Sequence, residues 1–200
     1  MNKTLVIILI AFFLLGFLGC NTFIGCNTYN GLVTSEQFVK KSWSNVETNY
    51  QRRNDLYGSV IKTIEGSANF EKSTLKEVLE ARAKATSITV DINDPASLEA
   101  YQKAQASLQG SFSRLMAVAE NYPDLKTTTA FRDFQTQIEG TENRINVARQ
   151  DYNSAIENFN LKVKTFPRNI FARLFGFTEK TFYKADAGTE KAPEIKFDIK

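Results

Sequence analysis

Two short stretches, far apart in the chain, carry side chains whose types would act together: Arg52, Arg53 and Asp55 in one, and Glu142, Asn143 and Arg144 in the other, with Glu139 nearby. Opposite charges brought together from two helices offer two outcomes. One is a notch that binds a ligand or a partner. The other is an ion-pair layer that fixes the register of packed helices, which is the better attested use of buried polar groups in bundles. Arg53 and Thr141 both fall on positions that otherwise repeat as apolar, so the two segments are expected to meet there around a polar layer.

Other chemistry finds little to work with. The chain has no histidine, which removes the commonest general base, the commonest metal ligand and the usual partner of a serine or cysteine nucleophile. A bundle di-metal site wants Glu-x-x-His on two helices, and Glu77, Glu80, Glu139 and Glu142 mostly lie off the apolar seams, as on a solvated face. No Asp-rich cation loop, glycine-rich phosphate loop or G-x-S-x-G elbow occurs. No catalytic residue, metal or cofactor is expected, and the protein is read as a non-enzyme. A net charge of +3 from 25 basic and 22 acidic residues is too balanced for a nucleic-acid footprint, which is normally one-signed. The sixteen Phe and seven Tyr sit mainly at helical spacing and read as core. The exception is Phe166, Arg168, Ile170, Phe171, Arg173, Leu174 and Phe175. This apolar cluster with two arginines either packs on the bundle or lies on a bilayer surface as a short amphipathic helix.

Both cysteines, Cys20 and Cys26, lie near the N-terminus, leaving none in the body for a disulfide or a thiolate site. Leu5 to Gly19 is uncharged and strongly apolar. Continued through Cys26, the uncharged run reaches the length of about 20 residues that a spanning helix needs. Three readings stand for residues 1–28. A retained signal-anchor helix explains the length and the single Lys3 before it, which favours a body outside the cytoplasm. A lipoprotein signal explains Gly-Cys at 19–20 or 25–26, with Cys20 or Cys26 as the lipidated residue. A cleaved secretory signal lacks a clear small-x-small site.

The elements that would position the charged set are helices. Thr34 and Gln37 are spaced as a capping box, followed by a seam at Val39, Trp43, Val46, Tyr50, Arg53, Tyr57, Val60 and Ile64, in steps of three and four. That helix is expected to end near Gly66. A second runs from about Phe70 or Thr74 with Leu75, Val78, Leu79, Arg82 and Ala85 on one side, giving way to a loop near Ser87 to Asn93. Asp94-Pro95 signals a third start, with Leu98, Tyr101, Gln105, Leu108, Phe112, Leu115, Ala119 and Tyr122 on its seam, until Pro123 ends or bends it. The longest stretch is Asp124 to Lys164, with Asp124 as candidate cap. Its seam is Phe131, Phe134, Ile138, Thr141, Ile145, Ala148, Tyr152, Ala155, Phe159 and Val163. At about 1.5 Å per residue it would run about 60 Å. The expected fold is all-α: an elongated antiparallel bundle of about four long helices over residues 29–183, preceded by the membrane segment. The Ile170 to Phe177 stretch is expected to fold back over the bundle end, and a polar, disordered tail to begin about Tyr183 and fill 184–200.

Several phrases resemble the LemA family of bacterial membrane-anchored helical proteins. They are Tyr29-Asn30-Gly31-Leu32-Val33, Trp43-Ser44-Asn45-Val46-Glu47, Gln51-Arg52-Arg53-Asn54-Asp55-Leu56, Glu120-Asn121-Tyr122-Pro123-Asp124-Leu125-Lys126, the stretch Thr141 to Asn153 (TENRINVARQDYN), and Phe175-Gly176-Phe177. They occur in the family's order between residues 29 and 177. One departure is Tyr57-Gly58-Ser59-Val60, where the family commonly carries Ile-Pro-Asn-Leu. The proline kink is missing, so the helix runs straighter or Gly58 supplies flexibility. The resemblance implies a membrane segment and a long antiparallel bundle, and it implies no catalytic activity.

Together these readings point to a non-enzymatic, membrane-anchored bundle of a bacterial envelope. It would have a single N-terminal anchor and act by contact with other envelope proteins, without nucleic acid. The alternative is a module that binds a small ligand or lipid in a cavity at the bundle end.

Overall fold

The computed structural model describes residues 3–66, 70–126 and 128–184. Within these, the side chains of residues 3–11, 14–24, Asp124 and Lys126 lie outside the description. Among the described residues six helices follow one another: α1 (Lys3–Glu65), α2 (Lys72–Ser87), α3 (Pro95–Ala119), α4 (Pro123–Lys126), α5 (Thr129–Lys164) and α6 (Arg168–Leu174). No strand occurs among the described residues. The chain forms two compact units. One comprises Met1–Glu47 with Ala148–Thr181, the other Thr48–Val147 with Phe182–Lys200; α1 and α5 supply residues to both.

The second unit holds a core built mainly by four helices, with Leu125 of α4 added. Tyr57, Val60, Ile61 and Ile64 of α1 meet Leu75, Val78 and Ala85 of α2, Leu108, Phe112 and Leu115 of α3, and Phe131 of α5. These are the three-and-four repeats that the sequence displays, because only that spacing keeps side chains on one stripe of a helix with 3.6 residues per turn. Tyr57 and Phe112 stack with ring centroids 3.6 Å apart. Helices α2 and α3 run in opposite directions: Gln105 donates to the carbonyl of Ala85, and further along Arg114 pairs with Glu77 at 3.0 Å. Asp94 caps α3 by accepting from the Ala96 amide at 3.0 Å, with Pro95 as first helical residue.

In the first unit, α1 and α5 also run in opposite directions. Trp43 meets Tyr152 with centroids 5.1 Å apart, while earlier in α1 Ser35 accepts from Lys162 of α5. Leu32, Val39, Trp43 and Val46 are buried from α1, and Ala148, Tyr152, Ala155, Ile156 and Phe159 from α5. Helix α6 ends in a turn at Gly176, whose φ of 77° suits glycine. The Phe177 amide bonds the Ala172 carbonyl at 2.9 Å and the Gly176 amide bonds that of Arg173 at 3.2 Å. This pairing of six-to-one and five-to-two bonds closes the helix and turns Phe177 inward.

Three sequence expectations are corrected. Helix α1 does not start at Thr34. It is already helical from Lys3, so a carbonyl one turn back is available and the Thr34 hydroxyl donates to Asn30 at 2.8 Å instead of capping. Helix α5 starts at Thr129, not Asp124. Pro123 opens the separate turn α4, which buries Leu125, and Thr128 accepts from the Phe131 amide at 3.3 Å. Leu79 is exposed. Gly58 lies inside α1 and makes room: a Cβ there would stand 3.1 Å from the Arg82 guanidinium, which donates to the Asn54 carbonyl at 3.1 Å. Tyr183, just before the expected polar tail, is buried and its hydroxyl shares a 2.6 Å hydrogen bond with that of Tyr50. Residues 185–200 of that expected tail lie outside the described residues, as do most side chains of the apolar run Leu5 to Gly19. Among the described residues no helix is long and apolar enough to cross a membrane.

Candidate functional site

Arg53 is the largest fully buried side chain of the described residues. A guanidinium is never deprotonated under ordinary conditions, so its burial demands acceptors. One of its terminal nitrogens donates to the Gln105 side chain at 2.6 Å and to the Gln105 carbonyl at 3.3 Å; the other reaches Glu142 at 3.3 Å. The ring faces of Tyr50 and Tyr57 lie 4.7 and 5.7 Å from the guanidinium carbon, within cation–π range. The same Glu142 oxygen accepts from the Tyr57 hydroxyl at 3.4 Å. Burial pushes the Tyr57 hydroxyl well above the usual tyrosine range, the Arg53 charge pulls it down, and Glu142 pushes it up again. Thr141 is also buried but donates to Gln137 of its own helix at 2.7 Å.

Of the expected set, then, Arg53 and Glu142 come together, and Arg52, Asp55, Asn143 and Arg144 are exposed. Asp55 accepts from Gln51 at 3.0 Å. Glu139 is exposed. The pair bridges α1 and α5 beside Gln105 of α3, with the arginine buried and the glutamate still partly exposed. Gln105 is the member that sequence reasoning left out of the layer. Its signal was a polar residue at a seam position of α3, the same signal that singled out Arg53.

A second polar cluster lies in the first unit and had no sequence signal. Lys180, nearly buried, donates to Glu36 at 3.0 Å and stands 5.1 Å over the ring of Phe159. Its backbone is held on both sides by Asn160, with amide and carbonyl bonds of 2.9 Å each. Partial burial raises the Glu36 carboxyl, but the hydrogen bond and charge of Lys180, aided by Lys40, outweigh it and hold the group below its ordinary value. The contacts link residues far apart in sequence and obey no helical period, so no pattern announces them.

Two depressions flank α6. A small one, of about 110 Å³, is lined by Asn27, Thr28, Gly31, Leu32, Lys162 and Arg168. A wider open cleft of about 600 Å³ is lined by Val163, Asn169, Arg173, Phe177, Thr178 and the ion pair Lys164–Glu179, 2.8 Å apart. Cys26 is a free, exposed thiol, and the Cys20 side chain is outside the described residues. No group of three metal-ligating side chains occurs among the described residues.

An all-helical chain with apolar seams, a buried arginine layer and a helical N-terminal run defines a bundle protein of a particular kind. The sequence pattern of the LemA family matches residues 42–197. The chain belongs to the LemA family. It is 27% identical over 177 residues to Protein LemA of Metamycoplasma hominis, covering 87% of this chain and 78% of that protein. It is 26% identical over 171 residues to Magnetosome protein MamQ 2 of Paramagnetospirillum magneticum, covering 76% of this chain, and 25% identical over 176 residues to Magnetosome protein MamQ of Magnetospirillum gryphiswaldense. The match spans 63% of the length of the Paramagnetospirillum protein.

Proposed function

We propose that this protein is a non-enzymatic, membrane-anchored helical module of the bacterial envelope that acts by contact with other proteins. The observation that carries this reading is the continuity of α1. One uninterrupted helix, Lys3–Glu65, takes the uncharged run Leu5 to Gly19 directly into the buried seam that begins at Leu32. A helix held in a bilayer at its N-terminal end would carry the packed helices with it. Family membership supports the same reading. The surface offered to a partner is the exposed polar set around the Arg53–Glu142 pair, the charged Arg52, Asp55 and Arg144 with Asn143.

The anchor is tested by intact mass of protein purified from its own membranes, together with Cys20→Ser and Cys26→Ser. A full-length, unmodified mass supports a retained helix. An acyl mass lost in one variant makes the protein a lipoprotein and removes the apolar run. Recovery of the unmodified chain from the soluble fraction overturns the anchored reading. The contact role is tested by Arg52→Glu with Arg144→Glu: a membrane complex seen for the wild type should dissociate while helicity and melting stay unchanged.

A ligand-binding role has the cleft beside α6 in its favour. Its lining carries Lys164, Arg173, Asn169 and Glu179, so it suits a small ligand or lipid headgroup that bears charge.

A further inference from the structure

Helix α6 has two faces in opposite surroundings. On the inner one Ala172 is fully buried, Phe171 lies so close to α1 that a Cβ on Gly25 would stand 3.3 Å from its ring, and Phe177 meets Tyr29 and Phe159 at 6.0 and 6.3 Å. The glycine turn after the helix locks that orientation. On the outer face Ile170 and Leu174, spaced four residues apart, are 57% and 76% exposed, and Phe166 in the turn leading into the helix is 74% exposed. Rotation cannot bury them, because it would withdraw Phe171 and Ala172. Single exposed apolar residues are ordinary, but two stacked one turn apart on a short helix, with an exposed Phe166 in the turn before it, mark a contact surface.

Charge and position identify the occupant. From Leu161 to Thr178 the chain carries Lys162, Lys164, Arg168 and Arg173 and no acidic residue. Gly25 and Tyr29, against which α6 packs, follow directly on the uncharged N-terminal run. We propose that the outer face of α6 seats in the headgroup layer of an anionic bilayer, with Phe166, Ile170 and Leu174 entering the acyl boundary and Arg168 and Arg173 meeting lipid phosphates. This rests on the anchored reading above and adds a second, peripheral contact to it. Basic amphipathic surfaces next to an anchor bind anionic lipid in this way, and an aromatic pair such as Tyr29 and Phe175, 5.2 Å apart, suits the interface. So small a face does not hold a protein on a membrane alone. Its effect is to fix the tilt and rotation of the adjoining helix at the surface.

The test uses the full chain in vesicles of phosphatidylcholine with about one third phosphatidylglycerol, with and without bromine on the acyl chains. Leu174→Trp adds an indole to the outer face and Asp151→Trp adds one to an exposed position of α5; wild-type emission from the buried Trp43 is subtracted. Brominated lipid should quench the Leu174→Trp signal about twofold or more and leave the Asp151→Trp signal unchanged. Quenching should weaken on neutral vesicles and in Arg168→Gln/Arg173→Gln. An unquenched Leu174→Trp indole on chains that still float with the vesicles overturns the α6 contact and leaves the anchor standing. Chains that do not float overturn both. Equal quenching on neutral and anionic lipid overturns the selection of anionic lipid. An unquenched, blue-shifted indole whose emission reddens as protein is diluted in lipid shows a second copy on this face, and overturns the proposal as well.

Discussion

The guanidinium of Arg53 reaches the carboxylate of Glu142 at 3.3 Å with no solvent on the arginine and about a quarter of the glutamate side chain exposed. The two partners are therefore unequal. Losing the carboxylate strands a buried cation that retains Gln105 and the Tyr50 and Tyr57 ring faces but no counter-charge, whereas losing the arginine leaves a glutamate that can still reach water. Glu142→Leu should cost about 2–3 kcal/mol, below the usual penalty for breaking a buried pair because Glu142 is partly solvated. Arg53→Met/Glu142→Leu should recover much of that loss. Denaturant midpoints of the two singles and the double form the test, and a double variant as unstable as the sum of the singles would show that the two residues do not act as a pair.

The Tyr152 hydroxyl is buried without a hydrogen-bond partner, and burial pushes its pKa up to about 12. The folded state keeps the proton when the unfolded chain has lost it. Stability from this group is complete below about pH 10 and falls as pH rises toward 12, by about 2 kcal/mol at most. Tyr152→Phe should cost less than about 1 kcal/mol at neutral pH, since the hydroxyl has no bond to lose, and should flatten the alkaline decline. Tyr57, raised by burial in the same direction, leaves a remainder. Unfolding curves at pH 9 and pH 11 decide; an unchanged alkaline slope in the variant counts against this account.

Glu36 behaves in the opposite sense. Its carboxyl is held below its ordinary value, mainly by Lys180 against the opposing effect of burial. The contribution is therefore complete above the unfolded value of 4.5 and is lost as pH falls through the lower folded value. Lys180→Met, close in volume, should destabilise by about 1–2 kcal/mol at pH 7. It should also make the stability curve shallower between about pH 5 and pH 3. A wild-type acid slope retained in the variant would place the acid sensitivity elsewhere.

Two helical glycines should respond differently to alanine. Nothing lies within 4 Å of a Cβ on Gly140, so Gly140→Ala should stabilise by about 0.5–1 kcal/mol through helix propensity alone. At Gly58 the same gain is offset by displacement of Arg82 from 3.1 Å, and the net change should be smaller. Melting of the two variants side by side checks this; an equal gain at both sites would show that Arg82 yields freely.

The sequence by itself determined which residues are buried along most of α1. Every seam position of α1 from Val39 to Ile64 is buried, Arg53 included, because helical period and apolarity are local properties that burial then obeys. It also carried enough conserved-order phrases to point to the LemA family and enough polar seam residues to mark a layer. Tertiary structure decided how that layer closes. Gln105 and Glu142 turn toward Arg53 because a guanidinium without water takes whichever acceptors the neighbouring helices present, and no single-helix pattern specifies that choice. It likewise decided that Lys180 and Tyr183 belong to the packed chain. Their partners Glu36 and Tyr50 lie more than a hundred residues away in sequence, and a contact of that range is set only when the intervening helices have packed.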